Sequence, residues 1–149
     1  PITTIGGIQI LPHKTLEECD DSKLDILVVP GGVGTQNIQS NANILDFIQR
    51  LSNQVDKLCS VGTGALLLAQ SPGVLPDGCR ITTHWTAIDS LQKEFPKLIV
   101  DKTLAVVVKQ QDGTLYTSAG ISAGIQMALT VVQDVFGEDV ARATAKEME

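Results

Sequence analysis

Leu58-Cys59-Ser60-Val61 is a short run of buried-strand character, and Thr63-Gly64-Ala65-Leu66-Leu67-Leu68-Ala69 reads as a helix packed directly behind it. Only Gly62 stands between them. A chain that turns from strand to helix within one residue needs an unusual backbone at the hinge and small residues around it. Ser60, two before the hinge, and Gly64, two after, meet that need. Such a turn is the nucleophile elbow on which α/β enzymes mount a reactive Ser or Cys. Here the hinge is glycine, so the architecture points to an enzyme while the reactive atom is missing.

An elbow belongs in a parallel sheet flanked by helices, and the rest of the chain agrees. Residues 24–29 (LDILVV) form a continuous apolar run ended by Pro30-Gly31-Gly32, which suits a strand buried on both faces. Residues 43–51 carry Ile44, Leu45, Phe47, Ile48 and Leu51 at helical spacing. Residues 80–83 read as a further strand, followed by a helix over about 86–95. Two hairpins are expected, one around Gly6-Gly7 and one around Asp112-Gly113, the latter joining 105–110 to 115–118. A long helix over about 122–135 and a last one over 138–148 close the chain, whereas 13–22 is a polar connection. Alternating strands and helices predict an α/β fold, a three-layer αβα sandwich around a mostly parallel, flavodoxin-like sheet. Segments 24–29, 57–61 and 80–83 should be strands of that one sheet.

Composition narrows the function classes. At 149 residues the chain is expected to be a single domain, 1–149, and its 43% hydrophobic content with one Trp, one Tyr and three Phe predicts an aliphatic core. A net charge of −6, with the basic residues scattered, argues against a nucleic-acid surface. No apolar run reaches the roughly 18 residues of a membrane span, and no secretory leader is evident. Cys19, Cys59 and Cys79 show no CxxC or His-spaced pattern, which predicts reduced thiols in a cytoplasmic protein, with no metal and no cofactor. Cys59 reads as a packed core residue.

Three motifs carry possible chemistry. In Pro30-Gly31-Gly32-Val33-Gly34, the N–H groups of Gly31 and Gly32 either bind a developing oxyanion or merely end a strand. At the elbow, either Gly62 sits above the carboxyl edge of the sheet with backbone dihedrals that disfavour a Cβ and the Thr63 N–H opens a helix, or the segment is a plain Gly-rich turn. In Thr82-Thr83-His84-Trp85, His84 is either a base or orienting group, or structural; Trp85 either caps the core or walls a pocket. His13 reads as solvated. Because successive parallel strands bring their carboxyl-end loops to one edge, Gly31, Gly32, Thr63, His84 and Trp85 are expected to border one cleft beside Gly62.

In this order and spacing, LDILVVPGGVG, SVGTGALLLAQ with GVLPDGCRITTHW, and TSAGISAGIQMAL resemble the DJ-1/ThiJ/PfpI superfamily, the class I glutamine-amidotransferase-like fold. The resemblance runs through nearly the whole chain. It implies Cys at the position of Gly62, an oxyanion site made by the glycines of the PGG turn and the N–H of Thr63, and Gly120 among the binding residues. Amidotransferases of the family carry Glu two residues after the His, where this chain has Thr86. Peptidase-like members place His directly after the nucleophile, where this chain has Thr63. Thr63 together with Thr-Thr-His-Trp is similar to isonitrile hydratases and to the sensor domains of AraC-type transcriptional regulators. In the hydratases the Cys attacks the isonitrile carbon, an acidic residue assists proton transfer, and water yields an N-substituted formamide.

The resemblance therefore implies a catalytic set of Gly62 (in the nucleophile's place), Thr63 and His84, a small-molecule substrate or ligand, and a homodimer. It also implies a family strand–helix–strand section, bearing the assisting acid, for which nothing before Pro1 is a counterpart. The expectations are a hydratase-like scaffold inactive in this exact sequence, or a ligand-sensing domain that kept the pocket without the chemistry. A redox or protein-repair member would again need an elbow Cys, and a noncatalytic oligomeric domain is the plain alternative.

Overall fold

The computed structural model of the chain describes residues 1–4, 6–19, 24–104, 108–109 and 112–149. The first hairpin pairs β1 (Ile2–Thr3) with β2 (Gln9–Ile10), antiparallel, Ile2 opposite Ile10. The central sheet contains β3 (Ile26–Val29), β4 (Lys57–Val61), β7 (Val108–Lys109) and β8 (Leu115–Ser118), in the order β3-β4-β8-β7. β4 is parallel to both neighbours, and β7 closes the far side antiparallel to β8. Positions 105–107 and 110–111 of the second expected hairpin, and 20–22 of the polar connection, lie outside the described residues.

The helices are α1 (Thr35–Ile38), α2 (Ala42–Ser52), α3 (Gly64–Gln70), α4 (Ile88–Glu94), α5 (Ile121–Phe136) and α6 (Glu138–Glu147). Asn41 caps α2, its side chain accepting the Ile44 N–H at 3.3 Å, and Arg50 lies in the last turn where the dipole favours a cation. The layering follows from strand alternation. Leu58 and Leu115 share a core with Ile48, Ala65, Leu67 and Leu68 of α2 and α3. The next residues, Cys59 and Tyr116, point the other way and pack with Met127 and Val131 of α5. The sheet is thus covered by α2 and α3 on one face and by α5, with α6 packed on it, on the other. Each fully buried Leu in this core contributes roughly 1.5–3 kcal/mol over an exposed one.

Tyr116 sits beneath α5 with no exposed surface and donates to Asp134 Oδ2 at 2.7 Å. Burial, and the Asp134 carboxylate beside it, hold its phenol protonated well above the usual range. Cys59 is buried as expected, and desolvation pushes its thiol up to about 11. Among the described residues no helix is long and apolar enough to cross a membrane.

Three expectations need correction. β3 is not buried on both faces: among the described residues it is an edge strand, Val28 is 52% exposed, and no helix packs on that face of β3 as α5 packs on β4 and β8. Residues 80–83 do not join the central sheet. β5 is only Arg80–Ile81 and pairs in parallel with β6 (Ile99–Val100) as a separate two-stranded sheet. The chain then leans on β8 through a side chain rather than a ladder, the Thr82 N–H donating to Thr117 Oγ1 at 2.9 Å. The helix expected from 86 opens as a 3-10 turn over Trp85–Ala87, and α4 itself begins only at Ile88.

Candidate functional site

The hinge residue has the backbone that an elbow requires. Gly62 has φ +54°, in the left-handed region that L side chains seldom adopt. Its two backbone groups fix it there: the N–H donates to Ser118 O at 2.8 Å, and its carbonyl accepts the Thr83 hydroxyl at 2.9 Å. Thr83 is fully buried, so this tie between the end of β4 and the segment after β5 is out of water's reach. A Cβ placed on Gly62 would meet only ordinary contacts, Ala119 O at 3.6 Å and His84 Cβ at 3.9 Å. The hinge is strained for a side chain but has room for one.

The PGG turn closes directly on the elbow. A Cβ at Gly31 would lie 2.5 Å from Val61 O and 2.7 Å from Thr63 N, so only glycine permits that approach. The Gly32 N–H donates to Thr63 Oγ1 at 2.9 Å, and Thr63 Oγ1 returns a bond to Gly32 O at 3.1 Å. The Thr35 hydroxyl bonds the same carbonyl and lies 2.7 Å from Thr63 Oγ1. The expectation that the Gly32 N–H faces an oxyanion therefore meets a competitor: the Thr63 hydroxyl occupies that donor. Thr63 is at once the N-cap position of α3 and the clasp that locks the PGG turn. Thr35, buried and central to this clasp, carried no signal in the sequence beyond being a threonine after a glycine-rich loop.

His84 lies on the other side of Gly62. Its Nδ1 is 2.8 Å from Thr86 Oγ1, and its Cδ2 would be 3.9 Å from a Cβ at Gly120. Gly120 is extended and stands at the N-cap of α5. Trp85 does not cap the core: it is 76% exposed, its ring 5.7 Å from that of His84. The structure thus gathers Gly31, Gly32, Thr63, His84 and Gly120 around Gly62, with Trp85 at the rim, and His13 stays exposed far along the chain in a polar stretch.

The segments that meet here, 30–35, 60–66, 82–87 and 118–123, contain no Asp, Glu, Lys or Arg. His84 is the one titratable side chain they supply. By themselves they can donate hydrogen bonds and hold an uncharged ligand; they cannot supply a carboxylate. Among the described residues no three His, Cys, Asp or Glu side chains converge as a metal ion would require. A cavity of about 220 Å³ lies at the opposite ends of β4 and β8, lined by Leu58, Cys79 and Leu115 among others, and is separate from the elbow.

The model of the DJ-1/PfpI family matches residues 1–134. The chain belongs to that family. Across 149 residues it is 36% identical to an isonitrile hydratase of Pseudomonas putida, covering 100% of this chain and 61% of that protein. It is 30% identical over 141 residues to the HTH-type transcriptional regulator CdhR of Pseudomonas aeruginosa, covering 95% of this chain and 39% of the regulator. Among solved structures, a THiJ/PfpI family protein from Pseudomonas syringae superposes with a TM-score of 0.81 at 29% identity, over 98% of this chain and 58% of that one. The chain therefore spans less than two thirds of the length of each of these DJ-1/PfpI relatives. Both branches suggested by Thr63 and the Thr-Thr-His-Trp segment, hydratase and regulator, are represented among them.

Proposed function

We propose that this domain is an isonitrile-hydratase-like scaffold in which Gly62 stands in the place of the nucleophile, so that this exact sequence does not turn over substrate. One observation carries the reading: a hinge at φ +54° with free space where a Cβ would stand, pinned between His84, Thr63 and the PGG turn. The 36% identity to an isonitrile hydratase supports the substrate class.

The reaction assigns each part a task. A thiolate at the elbow adds to the isonitrile carbon, forming a C–S bond, and a proton delivered to that carbon gives a thioimidate. Water then adds to the same carbon, the C–S bond breaks, the nitrogen takes a proton, and an N-substituted formamide leaves with the thiol regenerated. In this reading the N–H groups of Gly31 and Thr63 stabilise charge at the reacting centre, and His84 hydrogen-bonds the ligand. Glycine has no sulfur, so the first bond cannot form. Proton delivery also calls for an acidic group, which the four elbow segments lack; in this reading it comes from the family's first strand–helix–strand section.

The test measures isonitrile consumption and thiol alkylation in the parent chain and in Gly62→Cys, both on a Cys19→Ser background. Cys59 and Cys79 are buried with thiols pushed up to about 11, so near neutral pH they should stay unlabelled and the introduced thiol should take up iodoacetamide. Turnover is expected only when Gly62→Cys is joined to the family's upstream section. Hydration at an enzymatic rate by the glycine form would sink the proposal, because the elbow would then not be the catalytic centre.

A second reading is favoured by the same missing thiol together with the 30% identity to a transcriptional regulator: a ligand-sensing domain that binds without chemistry. It predicts saturable binding of a formamide or isonitrile with the ligand recovered unchanged. We further propose a cytoplasmic homodimer; a monomer mass by light scattering at micromolar concentration would remove the dimer and leave the fold untouched.

A further inference from the structure

The two ring nitrogens of His84 are held differently. Nδ1 is 2.8 Å from Thr86 Oγ1 and receives the Thr86 N–H at 3.4 Å, which makes the His84 side chain the cap of the Trp85–Ala87 turn. A backbone N–H can only donate, so Nδ1 is an acceptor. The Thr86 hydroxyl must then also donate to it, and in a neutral ring the single proton resides on Nε2. The opposite edge of the ring is the one turned to the site: Cδ2, bonded to Nε2, would stand 3.9 Å from a Cβ at Gly120, and His84 Cβ 3.9 Å from a Cβ at Gly62.

We infer that Thr86 is a positioning residue that fixes His84 as the Nε2–H tautomer, so that the ring offers the elbow a hydrogen-bond donor rather than a base. The polarity is set by one residue, through its backbone N–H and its hydroxyl together. A carboxylate at position 86 would accept from Nδ1–H and leave Nε2 basic; a threonine whose own N–H also points at Nδ1 does the reverse. The ligand that suits a donor here carries an acceptor atom, such as a formamide oxygen. That last step rests on the elbow being the ligand site, whereas the tautomer does not.

The chain has two histidines, which makes the measurement direct. In the full ¹⁵N-labelled chain, at a pH where both rings are neutral, long-range proton–nitrogen correlation distinguishes the protonated from the bare nitrogen, and His13→Gln assigns the signals. His13 is solvated and serves as the reference for an unbiased ring. His84 should sit at the Nε2–H limit in the parent and in Thr86→Ser. It should move only part of the way toward the averaged pattern of His13 in Thr86→Val, which loses the hydroxyl and keeps the backbone N–H, and toward Nδ1–H in Thr86→Glu. Averaging of His84 in the parent, or no change in Thr86→Glu, overturns the inference. Because no ligand or turnover enters the readout, its failure is distinct from failure of the hydratase reading. Addition of N-butylformamide to the parent then tests the last step, with a shift of the His84 Nε2–H signal expected and no shift counting against a donor role.

Discussion

Two places within a few ångströms of each other both depend on glycine, for opposite reasons. At Gly62 the backbone is the constraint: φ is +54°, yet a Cβ would have only ordinary neighbours. At the clamp, where the PGG turn and the first turn of α3 meet, space is the constraint. A Cβ on Gly64 would overlap the Val29 carbonyl oxygen, and one on Gly31 would lie 2.5 Å from Val61 O. The clamp is sealed against any side chain, and the hinge is open to one at a conformational cost. So the clamp glycines belong to the fold, while the residue at the hinge is a matter of function.

The strongest way to break this comparison is Gly64→Ala or Gly31→Ala. Each forces a methyl into backbone, and a loss beyond about 4 kcal/mol, seen as no cooperative denaturant transition, is expected. Gly62→Cys should cost about 1–3 kcal/mol and leave a folded domain. If all three variants were equally damaging, the hinge would be no more permissive than the clamp. Thr35→Val sharpens the same contrast at lower cost. It removes one hydroxyl from the clasp on Gly32, and about 1 kcal/mol in the denaturation midpoint should follow, with Gly62→Cys unaffected in its alkylation rate. The smallest effect belongs to Ser60, one position before the last residue of β4. Its hydroxyl is fully buried with no hydrogen-bond partner among the described residues, so Ser60→Ala should be neutral or stabilising by up to about 1 kcal/mol. A clear loss there would mean that the hydroxyl is bonded after all, through an ordered water.

The elbow was legible because its signal is local. A strand run, one glycine and a helix run sit in consecutive residues, and the small flanking residues are part of the same stretch. The apolar run at 26–29 likewise declares its own strand. What escaped the sequence depends on partners far along the chain. β5 and β6 are two residues each and define one another only by pairing, Arg80 opposite Ile99 and Ile81 opposite Val100, with nothing in either dipeptide to announce it. The exposed face of β3 could not be inferred from its composition, since Val28 and Val29 are the same residue type and only the second is buried. Thr35 and Thr86 are small polar residues in loops; their roles arise from a hydroxyl 28 residues away in one case and a ring two residues away in the other.

The strand order also sets a timetable. β4 lies between β3, made earlier, and β8, made much later; Ser118 bonds the Ser60 carbonyl across 58 residues. At a synthesis rate of about 5–20 residues per second, the finished β4 waits roughly 3–12 seconds for that neighbour. Throughout the wait it presents an unpaired edge next to Leu58 and Cys59, the kind of template that another nascent chain can join. The hinge carbonyl and N–H are tied to Thr83 and Ser118, so the elbow takes its final shape only when the last third of the chain arrives. Slow synthesis across residues 62–115 should therefore lower the yield of soluble protein even though no residue has changed.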